Sequence, residues 1–137
     1  VIYRFNHPSR VSKVALDPLG RYAFTADSMK QARIWDLKTG QLVSNLKYTN
    51  RQEVFSAVSF SPDGKIMATG APSRKLNVWD IASGERLKSW RVTPRKDIRP
   101  AGAVVYSVAF RDNNTLITES SSGYAEQWQI PTLQTTQ

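Results

Sequence analysis

The chain has 137 residues, with 40% apolar and 22% charged side chains and a formal net charge of +8. That length is one domain's worth and hides roughly two-thirds of its unfolded surface, and the composition is that of an ordinary globular domain. The absence of cysteine excludes disulfides and thiolate metal sites, and no apolar run approaches the ~20 residues of a membrane-spanning helix.

In chain order, the first signal is Val1-Ile2-Tyr3-Arg4-Phe5, a strand-like run. Val11 to Leu16 follows, with apolar residues alternating with small or polar ones, so one face of a strand is buried. Asp17-Pro18-Leu19-Gly20 is a tight-turn signature, with Pro early and Gly last. Strands are then expected over Arg21 to Ala26, Ala32 to Leu37 and Gln41 to Leu46, the last after a turn at Thr39-Gly40. The second set is Ala57 to Phe60, Lys65 to Gly70, Leu76 to Ile81 and Arg86 to Val92, with turns at Ser61-Pro62-Asp63-Gly64 and Ser83-Gly84. The third set is Val105 to Phe110, Thr115 to Thr118 and Tyr124 to Ile130, ending in a polar tail.

These sets are one unit written three times, over about 11–46, 54–92 and 104–130. Val14-Ala15-Leu16 matches Val58-Ser59-Phe60 and Val108-Ala109-Phe110. Ile34-Trp35-Asp36-Leu37 matches Val78-Trp79-Asp80-Ile81 and Gln127-Trp128-Gln129-Ile130. The tryptophans lie 44 and then 49 residues apart, a period that marks propeller-type arrays. The third copy lacks a fourth strand. Residues 1–5 stand where the fourth strand of a preceding copy would be, with Phe5 aligned to Leu46 and Trp90, and are expected to complete a last blade.

On these motifs the chain resembles the WD-repeat family of β-propellers. The resemblance implies an all-β fold of three four-stranded antiparallel blades around a channel. It also implies a scaffold for assembly rather than an enzyme, with Trp35, Asp36, Trp79, Asp80, Trp128 and His7 in structural roles. Three blades are fewer than a closed ring needs. Either further blades of a longer chain or a head-to-tail homodimer, closing as six blades, is expected. The family joins a Gly-His pair, an Asp in the turn before the Trp strand, a Ser or Thr and the Trp in one buried network. Here only His7 stands near the first place, and the positions six before each Trp are Met29, Ser73 and Ser122. The expectation is that no blade closes the full network and that apolar packing holds the blades.

Catalysis finds little footing. There is one histidine, no G-x-S-x-G and no glycine-rich phosphate loop. The aspartates are scattered over separate turns without the spacing of a calcium loop, so no catalytic residue, cofactor or metal is assigned. Basic residues are the informative feature. Six of the fourteen positions from Arg86 to Arg99 are Lys or Arg, and the connection from Trp90 to Val104 is the longest in the chain. The family's layout gathers Arg51, Arg74, Lys75, Arg95, Lys96 and Arg99 on one loop face, with Arg10, Lys13 and Lys30 near it. The expected function is a non-enzymatic scaffold binding a protein or peptide partner, acidic in character, across that face. The alternative is a binder of nucleic acid or another polyanion through the basic loop 91–99; against it, that stretch has no interleaved aromatics. Val1 is not preceded by Met and no leader pattern opens the chain, so the compartment stays open between cytoplasmic and exported.

Overall fold

The computed structural model describes residues 4–5, 7–27, 31–47, 54–94 and 103–131. Among them are eleven strands in three antiparallel sheets and no helix. The first sheet runs β1 (Val11–Leu16), β2 (Tyr22–Asp27), β3 (Ala32–Asp36) and β4 (Leu42–Asn45). The second runs β5 (Ala57–Phe60), β6 (Ile66–Gly70), β7 (Lys75–Asp80) and β8 (Arg86–Arg91). The third has β9 (Val105–Asp112), β10 (Thr115–Ser120) and β11 (Ala125–Gln129). Each strand pairs with its neighbour in sequence, so each sheet is a meander, one blade of the array.

Turn chemistry sets where each strand stops. Gly84 is required twice over: its φ is +76°, and a Cβ there would lie 2.0 Å from the Asn45 carbonyl oxygen of the first blade. Asp36 Oδ1 accepts the backbone N–H of Lys38 at 2.7 Å and of Thr39 at 3.2 Å. Asp80 Oδ2 accepts the N–H of Ser83 at 3.0 Å and its hydroxyl at 2.7 Å. Both carboxylates thereby close the turn into a fourth strand. In the third blade Gln129 stands at that place, and no fourth strand follows among the described residues.

Period-two alternation gives each blade two faces. The trailing face of the first blade carries Phe24, Ala26, Ala32 and Ile34, which form one core with Phe60, Met67 and Trp79 on the leading face of the second. The second blade's trailing Ile66, Ala68, Leu76 and Val78 pack in turn with Val108 and Leu116 of the third, with Phe110 and Trp128 against them. Gly70 admits this close approach, since a Cβ there would meet Val105 at 2.4 Å. Hydroxyls pin the same seams: Ser44 Oγ donates to Ile81 O and Ser56 Oγ to Val105 O, both at 2.6 Å.

The two end faces differ. On the leading face of the first blade, Val14 and Leu16 are 58% and 64% exposed, and Leu19 beside them 67%. On the trailing face of the third, Ser107, Ala109, Ile117, Glu119, Ala125 and Gln127 are all exposed. Glu119 and Gln127 stand there where the inner blades have Ala26 or Gly70 and Ile34 or Val78. This end is therefore polar in large part, not the apolar flank that an arc cut from uniform repeats would show.

The expectation that no blade closes the polar network is corrected. In the first blade Trp35 Nε1–H donates to Thr25 Oγ1 at 2.7 Å. The Thr25 hydroxyl meets His7 Nε2, and His7 Nδ1 bonds Asp27 Oδ2 at 2.8 Å. Asp27 lies at the end of β2, not in the turn, and so escapes a search six residues before the Trp. The other blades keep the indole half: Trp79 to Thr69 and Trp128 to Thr118, each 2.9 Å.

Candidate interaction surfaces

The strand ends sort the functional side chains onto two opposite rims. On one, here the loop face, lie the ends of β2, β4, β6, β8 and β10, with the β6–β7 and β10–β11 turns. On the other, the turn face, lie the β1–β2, β3–β4, β5–β6, β7–β8 and β9–β10 turns.

On the loop face the second blade gathers cations. Arg74 closes the β6–β7 turn with a φ of +71°, the left-handed region that non-glycine residues avoid. The strain is held from both sides, since Arg74 Nε donates to Val92 O and Val92 N–H donates to Arg74 O, each at 2.9 Å. Lys75 opens β7 directly opposite Arg91, the last residue of β8. Like charges facing across a ladder repel. Among the described residues the ion pairs are His7–Asp27 and Arg21–Asp17, so no carboxylate answers these three cations. Arg91 opens the basic stretch 91–99 noted from sequence; its register opposite Lys75 is what joins it to this group. Lys13 turns to the second blade, its Nζ donating to Ser56 O at 3.2 Å, and Arg10 is exposed. Arg51, Arg95, Lys96, Arg99 and Lys30 lie outside the described residues. Two rings open beside this rim on the third blade, Tyr106 and Tyr124.

Thr93, just past β8, is tied to the third blade. Its N–H and hydroxyl donate to the two carboxylate oxygens of Glu126, each at 2.8 Å. Glu126 sits on β11, on the face turned to the second blade.

The turn face is richer in acids and holds clefts. One of about 560 Å³ opens between the second and third blades, lined by Asp63, Lys65, Asp80, Glu85, Asn113 and Ile130 among others. Between the first and second blades Arg21 acts as a clamp. Its Nε donates to Asp17 Oδ2 at 2.6 Å, and its two terminal nitrogens reach Pro62 O at 2.8 Å and Ser61 O at 2.9 Å. Burial pushes the Asp17 carboxyl up. Hydrogen bonds from the Arg21 guanidinium and from the Leu19 and Arg21 N–H groups outweigh it and hold the group below its ordinary value. Asp63 is lowered in the same way: burial opposes, and the Ser61 hydroxyl and Lys65 N–H prevail. The six aspartates and glutamates of this rim come from five separate turns, so sequence spacing gave no sign that they share a face.

The structural residues take the following places. Trp79 is fully buried, Trp35 is 9% exposed under the Phe5 ring, stacked at 4.7 Å, and Trp128 is half-buried against Trp90 at 5.7 Å. Phe5 thus does for Trp35 what Trp90 of the preceding blade does for Trp128. Val1 to Tyr3 lie outside the described residues. Both ring nitrogens of His7 are engaged within the blade, with Asp27 and Thr25.

Residues 40–80 match the family model for the WD domain, G-beta repeat. No curated protein matches the chain in sequence. Among solved structures, the chain is similar to the computationally designed Ika4 protein, with a TM-score of 0.63 and 22% identity over 90% of this chain and 68% of that one. It is similar also to Hsv2 of Kluyvelomyces marxianus, with a TM-score of 0.73 and 18% identity over 90% of this chain and 41% of that one. A form of KlHsv2 with loop 6CD replaced by a Gly-Ser linker gives a TM-score of 0.75 at 17% identity, over 90% of this chain and 40% of that one. The chain therefore spans about two-fifths of the length of the natural propeller it matches. With tryptophans, turns and sheet order repeating blade by blade, the chain has the fold of three β-propeller blades, and residues 40–80 of it match a WD repeat.

Proposed function

We propose that this chain is a non-enzymatic scaffold that takes an acidic protein or peptide segment on its loop face. The WD repeat and the propeller fold support an interaction scaffold in general terms. The observation that carries the finer reading is the cation cluster of the second blade. Arg74, Lys75 and Arg91 stand together at one strand end without a described carboxylate beside them. A fold tolerates such repulsion at modest cost, and a carboxylate-bearing partner relieves it. Arg51, Arg95, Lys96 and Arg99 belong to the same reading through their place in the sequence, and a homodimer or further blades would extend the surface.

The test uses a fluorescent oligoglutamate peptide at low and high salt. Replacing Arg74, Lys75 and Arg91 together by Ser is expected to weaken binding at least about tenfold at low salt, where screening is least. Stability should fall by about 1 kcal/mol, since Arg74 and Lys75 are half-buried and Arg74 gives up its hydrogen bond to Val92 O. Unchanged affinity in the triple variant refutes the reading. A second reading, a polyanion binder, is favoured by the open rings of Tyr106 and Tyr124 on the same rim as the cations, because bases stack on such rings. A single-stranded oligonucleotide binding more tightly than oligoglutamate, with affinity falling steeply with salt and lost in Tyr106→Ala, would select it.

A further inference from the structure

We propose that Thr93 is a phosphoacceptor for a proline-directed protein kinase, and that its phosphate opens the Thr93–Glu126 clasp between the second and third blades. Thr93 precedes Pro94, and the one other Ser or Thr before a proline in the chain is Ser61, before Pro62. A residue before proline is confined to extended backbone, the form in which a kinase cleft takes its substrate. The structure separates the two dipeptides. Ser61 is fully buried, its hydroxyl donating to Asp63 Oδ1 at 2.7 Å and accepting the Ile66 N–H at 3.1 Å. Thr93 is half-exposed at the outer rim, past the end of β8, and its hydroxyl has a single described partner, Glu126. As sequence, the segment continues Arg95-Lys96, and cations after the proline suit kinases of this class.

In the transfer, Thr93 Oγ1 attacks the γ-phosphorus of the kinase's nucleoside triphosphate. The bond from that phosphorus to the bridging oxygen breaks, the diphosphate leaves, and the hydroxyl proton passes to the kinase's carboxylate base. Thr93 then loses the O–H that it donated to Glu126 and gains a charge of about −1.5 to −2 in its place. Two like charges now meet where a 2.8 Å hydrogen bond stood, so the clasp parts. Arg91, two residues back, and Lys75 opposite it offer the phosphate cations. Competition of that phosphate with an acidic partner rests on the function proposed above. The phosphate transfer and its coupling to Glu126 do not.

The purified chain is incubated with a cyclin-dependent kinase and ATP, and the product is mapped by mass spectrometry. One phosphate on Thr93 is expected, lost in Pro94→Ala, with Ser61 unmodified. Thermal melting is then compared with and without phosphate in the native chain and in Glu126→Gln, which keeps the shape of the clasp and removes its charge. Phosphorylation should lower the melting temperature of the native chain by about 3 °C and that of Glu126→Gln by less than half as much. No phosphate on Thr93, modification of Ser61 in its stead, or a shift in Glu126→Gln of half or more of the native one overturns the proposal.

Discussion

Replacing Thr25 by Val keeps the shape of the side chain and deletes one oxygen from the first blade's polar chain. That oxygen accepts the Trp35 indole N–H at 2.7 Å and meets His7 Nε2. Thr25 is buried, Trp35 is nearly so, and the His7 and Asp27 side chains are 1% and 0% exposed. Water therefore cannot replace the lost partner. A buried donor left without a partner costs about 1–3 kcal/mol, so the indole alone accounts for about that much, and the imidazole nitrogen adds to it. The same change at Thr69 strands only the indole of fully buried Trp79. At Thr118 it frees the indole of Trp128, which is half-buried and can turn to solvent. The expected order of loss is Thr25→Val, then Thr69→Val, then Thr118→Val, with the first costing about 2–4 kcal/mol and the last about 1. Urea denaturation followed by tryptophan fluorescence measures it, with an unchanged slope showing that the unfolded state is not what moved. If Thr25→Val costs no more than Thr118→Val, the network does not hold the first blade and the reasoning fails.

Asp17 contributes, with Asp63, to the response to acid. Its carboxyl is lowered in the folded chain, so its contribution is present above the unfolded carboxylate value of about 3.9 and lost as pH falls through the lower folded value. Asp17→Asn should therefore be destabilised at neutral pH and show a shallower loss as pH falls below about 5; an acid limb identical to that of the native chain would refute this. Arg74→Gly relieves a left-handed strain of about 1–2 kcal/mol and gives up one hydrogen bond worth about 1. The net change in melting stability should be small or slightly positive while oligoglutamate binding falls, and a loss above about 2 kcal/mol would show the side chain to be structural. In sedimentation equilibrium, the Glu119→Leu/Gln127→Leu double variant should self-associate more tightly than the native chain, because it makes the trailing end face apolar. Equal association in the two would mean that this face takes no part in pairing.

The strands were legible because their alternation is local. Val14 and Leu16, Val58 and Phe60, and Val108 and Phe110 each announce one buried face without any knowledge of the neighbour. The turns were legible for the same reason, since Pro and Gly act within four residues. The polar chain was not. Thr25, Thr69 and Thr118 stand ten residues before their tryptophans, a constant interval present in the sequence, but a threonine within a strand carries no mark of a buried partner. Asp27 was hidden because the expected acid was sought in a turn, whereas the chain places it on β2 beside His7. The grouping of Lys75 with Arg91 needed the β7–β8 register, which a bulge between Val78 and Trp79 shifts. The place of Gln129 was visible in the sequence, and its meaning came only from seeing what Asp36 and Asp80 do in the other blades. Arg51, Arg95, Lys96 and Arg99 fall outside the described residues, and their part in the loop face stands as a proposal.

The unequal end faces bear on what many copies do at high concentration. A repeat whose two ends attract each other can stack without limit, because every added copy presents the same attractive end again, and a contact of that kind closes into a ring or grows into a fibre according to its rotation. Here one end is open aliphatic surface and the other bears a carboxylate and an amide among smaller residues. Burying Glu119 against Val14 or Leu16 would strip it of water with no cation in exchange. Growth in that direction is therefore penalised at the first step, and two aliphatic ends that meet each other leave only polar ends outward. Faces of this kind favour pairing over open-ended stacking wherever they are left uncovered.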